Sequence, residues 1–163
     1  MNVMMTIQNY KKAESLEEAW QLYQKRGNRV LGGMLWLKQG SLRIATAIDL
    51  SGLGLDTITE TEEEYRLGSM VTLRTLERHA GLNATTGGAF KEALRHIVGV
   101  QFRNLATLGG SIYGRYGFSD VLTLLLAMDT TVVLYKGNET TVEVPLAQFA
   151  ASGYERDIVW SCG

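Results

Sequence analysis

The spacing of apolar and polar residues predicts a chain that mixes helices and strands. Ser15 and Glu18 have the spacing of a capping box, and the apolar positions that follow recur at helical intervals, which predicts a helix over residues 15–26. Two short apolar runs, residues 30–31 and 42–50, predict buried strands. A helix combined with two such strands favours a small α/β unit with parallel strand pairing.

Beyond residue 54 the pattern predicts hairpins and further helices. Two β-hairpins are predicted, each from two strand-like runs on either side of a polar turn. The first pairs residues 56–59 with 65–70, and the second pairs residues 131–135 with 140–144. Thr72 is the predicted N-cap of a helix that continues to residue 78. Two more helices are predicted over residues 87–98 and 121–128, and the glycine-rich stretch between them predicts a loop.

Composition narrows the classes of function. The formal net charge is −1 and the isoelectric point is near 6.1, so the chain has no basic excess for binding a nucleic-acid backbone. Cys162 is the only cysteine, which excludes an internal disulfide and fits a reducing compartment. No apolar run approaches the ~20 residues of a membrane span, and the N-terminal residues lack the pattern of a signal peptide. We therefore expect a cytoplasmic protein without membrane or nucleic-acid partners.

The residues that commonly perform catalysis are not arranged for it. The only histidines, His79 and His96, have no Cys, Asp or His at ligand spacing, and no nucleophile–base pattern is present. We therefore predict neither a metal site nor a catalytic side chain. Two glycine pairs remain, at residues 32–33 and 109–110, where main-chain N–H groups can approach a phosphate without an intervening Cβ. A glycine pair alone is more commonly an ordinary turn, and on this ground both interpretations stay open.

Residues 101–120, QFRNLATLGGSIYGRYGFSD, carry a more specific pattern. It resembles the second flavin motif in the FAD-binding subunits (medium chains) of molybdenum hydroxylases of the xanthine dehydrogenase and carbon monoxide dehydrogenase type. The matching residues are Gln101, Arg103, Asn104, Ala106, Thr107, Gly109, Gly110 and Asp120. Ser111 stands where that family usually has Asn, a change that keeps hydrogen-bonding capacity.

The first flavin loop of the same family is also recognisable. The matching residues are Val30, Leu31, Gly32 and Gly33. Met34 and Leu35 depart from the pattern, which usually has Thr or Asn followed by Asp or Glu. The resemblance therefore implies that main-chain N–H groups could hold a diphosphate here, while side-chain hydrogen bonds from these two positions are lost.

The resemblance implies an α+β fold of the PCMH-type FAD-binding class. A small N-terminal α/β lobe over residues 1–54 would precede a larger lobe over residues 55–163, which would contain a mainly antiparallel sheet and helices. The similarity runs from about residue 6 to residue 160. It covers the part of a family subunit that precedes the C-terminal domain, so we expect that domain to be absent.

The resemblance also implies FAD as cofactor and assigns its binding residues. The N–H groups of residues 108–111 and of the first glycine pair would hold the diphosphate, Thr107 would offer a hydroxyl, and Asp120 would contact a hydroxyl of FAD. The full predicted set is Val30, Leu31, Gly32, Gly33, Met34, Leu35, Thr107, Leu108, Gly109, Gly110, Ser111 and Asp120.

The implied function is that of an FAD-binding electron-transfer subunit. Electrons would pass from iron–sulfur clusters to FAD and on to NAD or another acceptor, with a molybdopterin-binding subunit and a [2Fe–2S] subunit as partners. An alternative is a non-enzymatic assembly or docking module of the same fold that has lost FAD binding, which Met34, Leu35 and the expected absence of the C-terminal domain favour. A third reading is a nucleotide-binding domain of unrelated fold, and the lack of P-loop and Gly-x-Gly-x-x-Gly motifs counts against it.

Overall fold

The computed structural model of the protein describes residues 4–163. Its N-terminal part holds a three-stranded sheet in the order β1-β3-β2, with both pairs parallel. The strands are β1 (Thr6–Lys12), β2 (Arg29–Leu31) and β3 (Arg43–Asp49), and helix α1 (Leu16–Tyr23) connects β1 to β2. Ser15 caps α1 by accepting a hydrogen bond from the N–H of Glu18, as the capping-box spacing predicts.

The C-terminal part holds a five-stranded sheet in the order β4-β5-β8-β6-β7, with every pair antiparallel. Its strands are β4 (Ile58–Glu60), β5 (Tyr65–Gly68), β6 (Thr131–Tyr135), β7 (Thr141–Pro145) and β8 (Ile158–Cys162). The strand that comes last in the chain therefore occupies the centre of this sheet. Its residues are almost all buried, as a central strand requires.

Short helices cover one face of the five-stranded sheet. They are α2 (Leu73–Arg78), α3 (Ala80–Thr85), α4 (Ala89–Leu94), α5 (Val100–Leu105), α6 (Leu108–Gly114), α7 (Asp120–Leu126) and α8 (Leu146–Ala151). Leu73, Leu94 and Leu108 from these helices are fully buried against Val132 and Val159 of the sheet. This cluster is the larger core of the protein.

A second core cluster joins the two sheets. Ala19 and Ile48 from the N-terminal part pack with Tyr135 and Ile158 from the C-terminal part. The Glu17 carboxylate adds hydrogen bonds across the same seam, since it accepts from the Tyr135 hydroxyl at 2.6 Å. The two sheets therefore share buried surface.

The predicted α+β class, with a parallel unit followed by an antiparallel sheet and helices, is confirmed. The parallel pairing of β2 with β3, both hairpins, and the Thr72 cap of α2 also agree with the prediction. The proposed lobe boundary after residue 54 stays a prediction, and the first three residues of the N-terminal lobe lie outside the described part of the chain. No helix within residues 4–163 has the length and apolar character that crossing a bilayer requires.

Some helices and strands were not predicted from the sequence, and others were predicted with the wrong extent or type. Strand β1 was not predicted because its residues are almost all exposed and lack apolar alternation. The helix predicted over residues 87–98 covers only α4, and Val98 has a left-handed backbone with φ of 50° that no regular helix accommodates. The helices α3 and α5 have six residues each, too few for a periodic signal. The loop predicted around residues 109–110 is instead the first turn of α6.

Candidate functional site

The two glycine pairs, far apart in sequence, are in contact in the structure. A Cβ atom on Gly33 would lie 2.0 Å from the carbonyl oxygen of Leu105, which lies within the second motif. A Cβ on Gly32 would lie 2.7 Å from Oγ1 of Thr107 and 3.7 Å from Cα of Gly110. Only glycine allows the chain to approach this closely. The segments after β2 and before α6 are thus held against each other.

A cavity of about 800 Å³ opens at this junction. Its volume falls in the range of small-molecule and cofactor sites. The sequence-predicted residues that line it are Val30, Leu31, Gly32, Gly33, Met34, Leu35, Thr107, Gly109, Gly110, Ser111 and Asp120. The remaining predicted residue, Leu108, is fully buried in the larger core and does not line the cavity.

The first glycine segment leaves a row of main-chain N–H groups without acceptors. From Gly32 to Trp36, none of these groups donates a hydrogen bond to another residue within the described chain. Met34 has a left-handed backbone with φ of 62°, and its carbonyl accepts from the N–H of Lys38, which begins a helical turn. Consecutive free N–H groups at such a turn bind anions.

The second glycine segment is different, and one expectation about it is wrong. The N–H groups of Leu108 and Gly109 donate to carbonyl oxygens of Val71 and Ser69, at 2.9 and 2.7 Å. The next two N–H groups bond to Thr107, at 3.3 Å to its hydroxyl and 3.1 Å to its carbonyl. The N–H groups of residues 108–111 are therefore engaged in the structure and not open to a ligand. Gly109 is required there because a Cβ would lie 2.8 Å from the Ser69 carbonyl oxygen.

Met34 and Leu35, the two residues that depart from the family pattern, pack their side chains against apolar clusters. Met34 packs beside the small cluster of Leu31, Ile44 and Ala47. Leu35 packs against the larger core. Both therefore support the segment that carries the free N–H groups, and neither supplies a hydrogen bond.

Asp120 and Ser119 begin α7 at the edge of the cavity. The Ser119 hydroxyl accepts from the N–H of Leu122 at 3.2 Å and caps the helix. The Asp120 carboxylate has no ion-pair partner within residues 4–163, and the start of a helix stabilises its negative charge. It can therefore accept a hydrogen bond from a ligand hydroxyl.

Four aromatic side chains form one wall of the cavity. The Trp36 ring lies 5.7 Å from that of Tyr116 and 5.6 Å from that of Phe118, and these two rings stack at 5.2 Å. Phe102 meets Trp36 edge-on at 6.4 Å. Trp36 remains 47% exposed and Phe118 67% exposed, so this aromatic wall offers ring surface to a ligand.

Ser69 lines the cavity and was not predicted from the sequence. It is 3% exposed, and its hydroxyl has no hydrogen-bond partner within the described residues. A single serine between β5 and α2 has no sequence signal of function. Only its position beside Gly109 in three dimensions shows it.

The first half of the second motif is architectural. Arg103 is buried and donates to the Glu77 carboxylate at 2.8 Å and to the Ile97 carbonyl at 3.0 Å. Arg74 donates to the other oxygen of Glu77 at 2.9 Å. Burial alone would raise the pKa of Glu77, but the hydrogen bonds and charges of Arg74 and Arg103 outweigh it and lower that pKa. This network fixes α5, whose C-terminal end contacts Gly33.

The Cys162 thiol and the Tyr113 hydroxyl both have raised pKa values. Burial raises the pKa of the Cys162 thiol to about 12, so it stays protonated and unreactive. Burial, followed by the hydrogen bond shared with the Tyr23 hydroxyl, raises the pKa of Tyr113 far above neutrality. Within residues 4–163 no three His, Cys, Asp or Glu side chains lie close enough to bind a metal ion.

Comparison with known proteins identifies a matching family and a similar protein. The family model described as the FAD binding domain in molybdopterin dehydrogenase matches residues 5–159. Protein YgfM of Escherichia coli (strain K12) is 30% identical over 149 residues, which cover 86% of this chain and 54% of that protein. The chain therefore spans about half the length of this curated relative.

Solved structures share the fold. A carbon monoxide dehydrogenase from Hydrogenophaga pseudoflava superposes with a TM-score of 0.87 at 22% identity, covering 96% of this chain and 58% of that one. Quinoline 2-oxidoreductase from Pseudomonas putida 86 gives a TM-score of 0.85 at 18% identity, covering 94% and 57%. The predicted PCMH-type fold is thereby confirmed.

Proposed function

The chain belongs to the family of FAD-binding domains in molybdopterin dehydrogenases, and we propose that it binds FAD in the cavity between its two glycine segments. FAD, the cofactor predicted from the sequence, is the cofactor of this family. The observation that carries the proposal is the row of free N–H groups from Gly32 to Trp36 on the cavity wall. A diphosphate is the part of FAD that such a row suits.

The residues around the cavity fit this cofactor. Gly32 and Gly33 leave no side chain between the main chain and a ligand, and the orphaned hydroxyl of Ser69 needs a polar partner. In this proposal the N–H groups of the first segment hold the diphosphate. Thr107 offers its hydroxyl nearby, and the Asp120 carboxylate accepts from a polyol or ribose hydroxyl. The assignment of individual residues to FAD stays a prediction.

FAD supplies the redox chemistry when it is bound. The work of this chain is to fix its position, to exclude water with the aromatic wall, and to keep nearby groups from exchanging protons. Tyr113, with its raised pKa, stays protonated and donates to the Glu155 carbonyl at 3.0 Å. No acid, base or nucleophile from the chain is required.

We further propose that the chain is part of an electron-transfer unit of a molybdenum-containing oxidoreductase. A molybdopterin-binding subunit and a [2Fe–2S] subunit would be its partners, NAD or another molecule the electron acceptor, and the cytoplasm its location. Support comes from the family membership and from the fold shared with carbon monoxide dehydrogenase and quinoline 2-oxidoreductase. The chain spans only 58% and 57% of those two chains, so the activity of a whole subunit is itself part of the proposal.

A second function is favoured by one observation. Met34 and Leu35 give the site no side-chain hydrogen bonds, and an assembly or docking module that no longer binds FAD would tolerate them.

Flavin titration of the purified protein separates the two functions. Calorimetry and the visible absorbance of protein freed of unbound flavin by gel filtration should show one FAD per chain if the first function holds. The test is repeated with co-expressed molybdopterin and iron–sulfur subunits. A protein that remains colourless and releases no heat with FAD in both preparations supports the docking module instead.

A further inference from the structure

Ser69 occupies a buried position at the junction of the two glycine segments. It follows β5 directly and is 3% exposed, yet its hydroxyl has no hydrogen-bond partner within the described chain. Among residues 4–163 only two other side chains, Trp20 and Asp157, contain a buried polar atom in this condition, and the Asp157 carboxylate still lies 2.9 Å from the Lys136 ammonium. Ser69 lines the cavity.

The main chain fixes the Ser69 side chain in this position. Its N–H donates to the Trp160 carbonyl at 3.0 Å, and its carbonyl accepts from the N–H of Gly109 at 2.7 Å. Its Cβ lies so close to Gly109 that a Cβ there would approach it to 2.8 Å. The main chain and the Cβ atom of Ser69 are therefore held in place, and rotation about the Cα–Cβ bond is what can turn its unpartnered hydroxyl toward the cavity.

An unpartnered hydroxyl at such a position is unfavourable for the free protein. A buried polar group that loses water without gaining a hydrogen bond destabilises the fold, and alanine would avoid that loss. The neighbouring hydroxyl of Thr107 differs, because it accepts from the N–H of Gly110 and caps α6. Ser69 has no such structural role.

We propose that the Ser69 hydroxyl donates a hydrogen bond to an oxygen of the diphosphate of the bound dinucleotide. The inference rests on the proposed FAD site and adds a residue to it. Ser69 contacts Gly109, which adjoins Gly110 and hence the first glycine segment with its free N–H groups. Since Met34 and Leu35 offer no polar side chain, this hydroxyl replaces part of what the first loop lacks.

The test is Ser69→Ala, with Ser152→Ala as the matched control. The Ser152 hydroxyl donates to the Phe149 carbonyl at 2.8 Å, away from the cavity. Binding of FAD and of ADP, which keeps the diphosphate without the flavin, is measured by calorimetry, and the melting temperature is measured without ligand. We expect Ser69→Ala to bind both ligands about tenfold more weakly, as for loss of one charge-assisted hydrogen bond, with a melting temperature that is unchanged or higher. The control should bind normally.

The outcomes separate this inference from the proposed function. If the unaltered protein binds FAD and Ser69→Ala binds it equally well, the inference is wrong while the function stands. A loss of FAD affinity without a loss of ADP affinity overturns the diphosphate assignment. A lower melting temperature for ligand-free Ser69→Ala also overturns it, because the hydroxyl would then be stabilising the free fold. If the unaltered protein binds neither ligand, it is the proposed function that fails.

Discussion

Gly33 lies against Leu105 so closely that a Cβ atom would stand 2.0 Å from the Leu105 carbonyl oxygen. The contact is between main chains, so no side-chain rotation can relieve it. It couples the segment with the free N–H groups to α5 and, through Arg103, to the buried Glu77 network. Stability and the proposed FAD binding should therefore depend on the same contact between Gly33 and Leu105.

Gly33→Ala should destabilise the protein by about 2–3 kcal/mol, because a buried main-chain contact must move apart to admit the methyl group. FAD affinity should fall with it, since the N–H row is displaced. Chemical denaturation and calorimetry measure both. Gly153→Ala is the control, because no atom lies within 4 Å of the added Cβ, and it should change neither quantity. A Gly33→Ala protein of normal stability would show that the two segments are not in contact.

Thr107→Val should remove the cap of α6 and lower the free energy of unfolding by about 1 kcal/mol. It should also weaken FAD binding, because the hydroxyl next to Gly32 is lost, whereas Thr107→Ser should retain both properties. Ser15→Ala removes the equivalent cap of α1, and Ser15 does not line the cavity. If Ser15→Ala weakens FAD binding as much as Thr107→Val does, the effect of Thr107 is one of stability alone.

Met34→Asn should raise FAD affinity. Met34 has φ of 62°, a conformation that Asn adopts more easily, and Asn supplies the polar side chain that this position lacks. Asn relieves the backbone strain at this positive φ, which stabilises the fold, but it loses the packing of Met34 against Leu31, which destabilises it. We therefore expect the free energy of unfolding to change by less than about 1 kcal/mol. Met34→Leu, which remains apolar, should leave affinity unchanged in the same calorimetric titration. Equal affinities for all three proteins would place residue 34 outside the binding surface.

Glu77→Gln should destabilise the protein at neutral pH by about 3 kcal/mol, because Arg103 loses its ionised partner in a buried position. The pKa of Glu77 is lowered in the folded protein. Its contribution to stability is therefore complete above the unfolded-state value, about 4.3, and is lost as the pH falls through the lower folded-state value. Denaturation curves between neutral and acidic pH should show the two proteins converging as the pH falls. Parallel curves would mean that Glu77 is not ionised in the fold.

Trp36→Leu should weaken FAD binding about three- to tenfold if the aromatic wall stacks against a ring of the cofactor. Titrations with ADP, which contains the adenine ring, and with FMN, which contains the flavin ring, identify the ring that stacks. Only the ligand with that ring should bind more weakly to Trp36→Leu. Tyr10→Leu is the control, because Tyr10 is 62% exposed on β1 and lies outside the cavity. Unchanged affinity for all three ligands would leave the wall without a role in binding.

The sequence predicts those parts of the structure whose determinants are local. The capping box at Ser15, the Thr72 cap and the second hairpin are each encoded within a few residues, and each is confirmed. Strand β1 depends on pairing with β3, residues 43–49, and its own exposed side chains contain no sign of it. The fold class came from the resemblance, which combined distant motifs that periodicity alone could not connect.

The sequence predicted most of the residues that line the cavity, but not how their main chains pair. The motifs predicted close approach of Gly32 and Gly109 to a phosphate, and the structure shows each of them in close contact with another segment of the same chain. They could not show that Gly109 approaches Ser69 of its own chain, because that contact depends on how α6 packs against the end of β5. The same packing engages the N–H groups of residues 108–111 and leaves those of the first segment free.

The central place of β8 sets the order in which the protein can assemble on the ribosome. The first sheet is complete once residue 49 has emerged, so it can pair early. In the second sheet β5 and β6 have no shared neighbour until residues 158–162 are synthesised, and each exposes an unpaired edge until then. Until β8 emerges, those two strand edges are open to pairing with other growing chains.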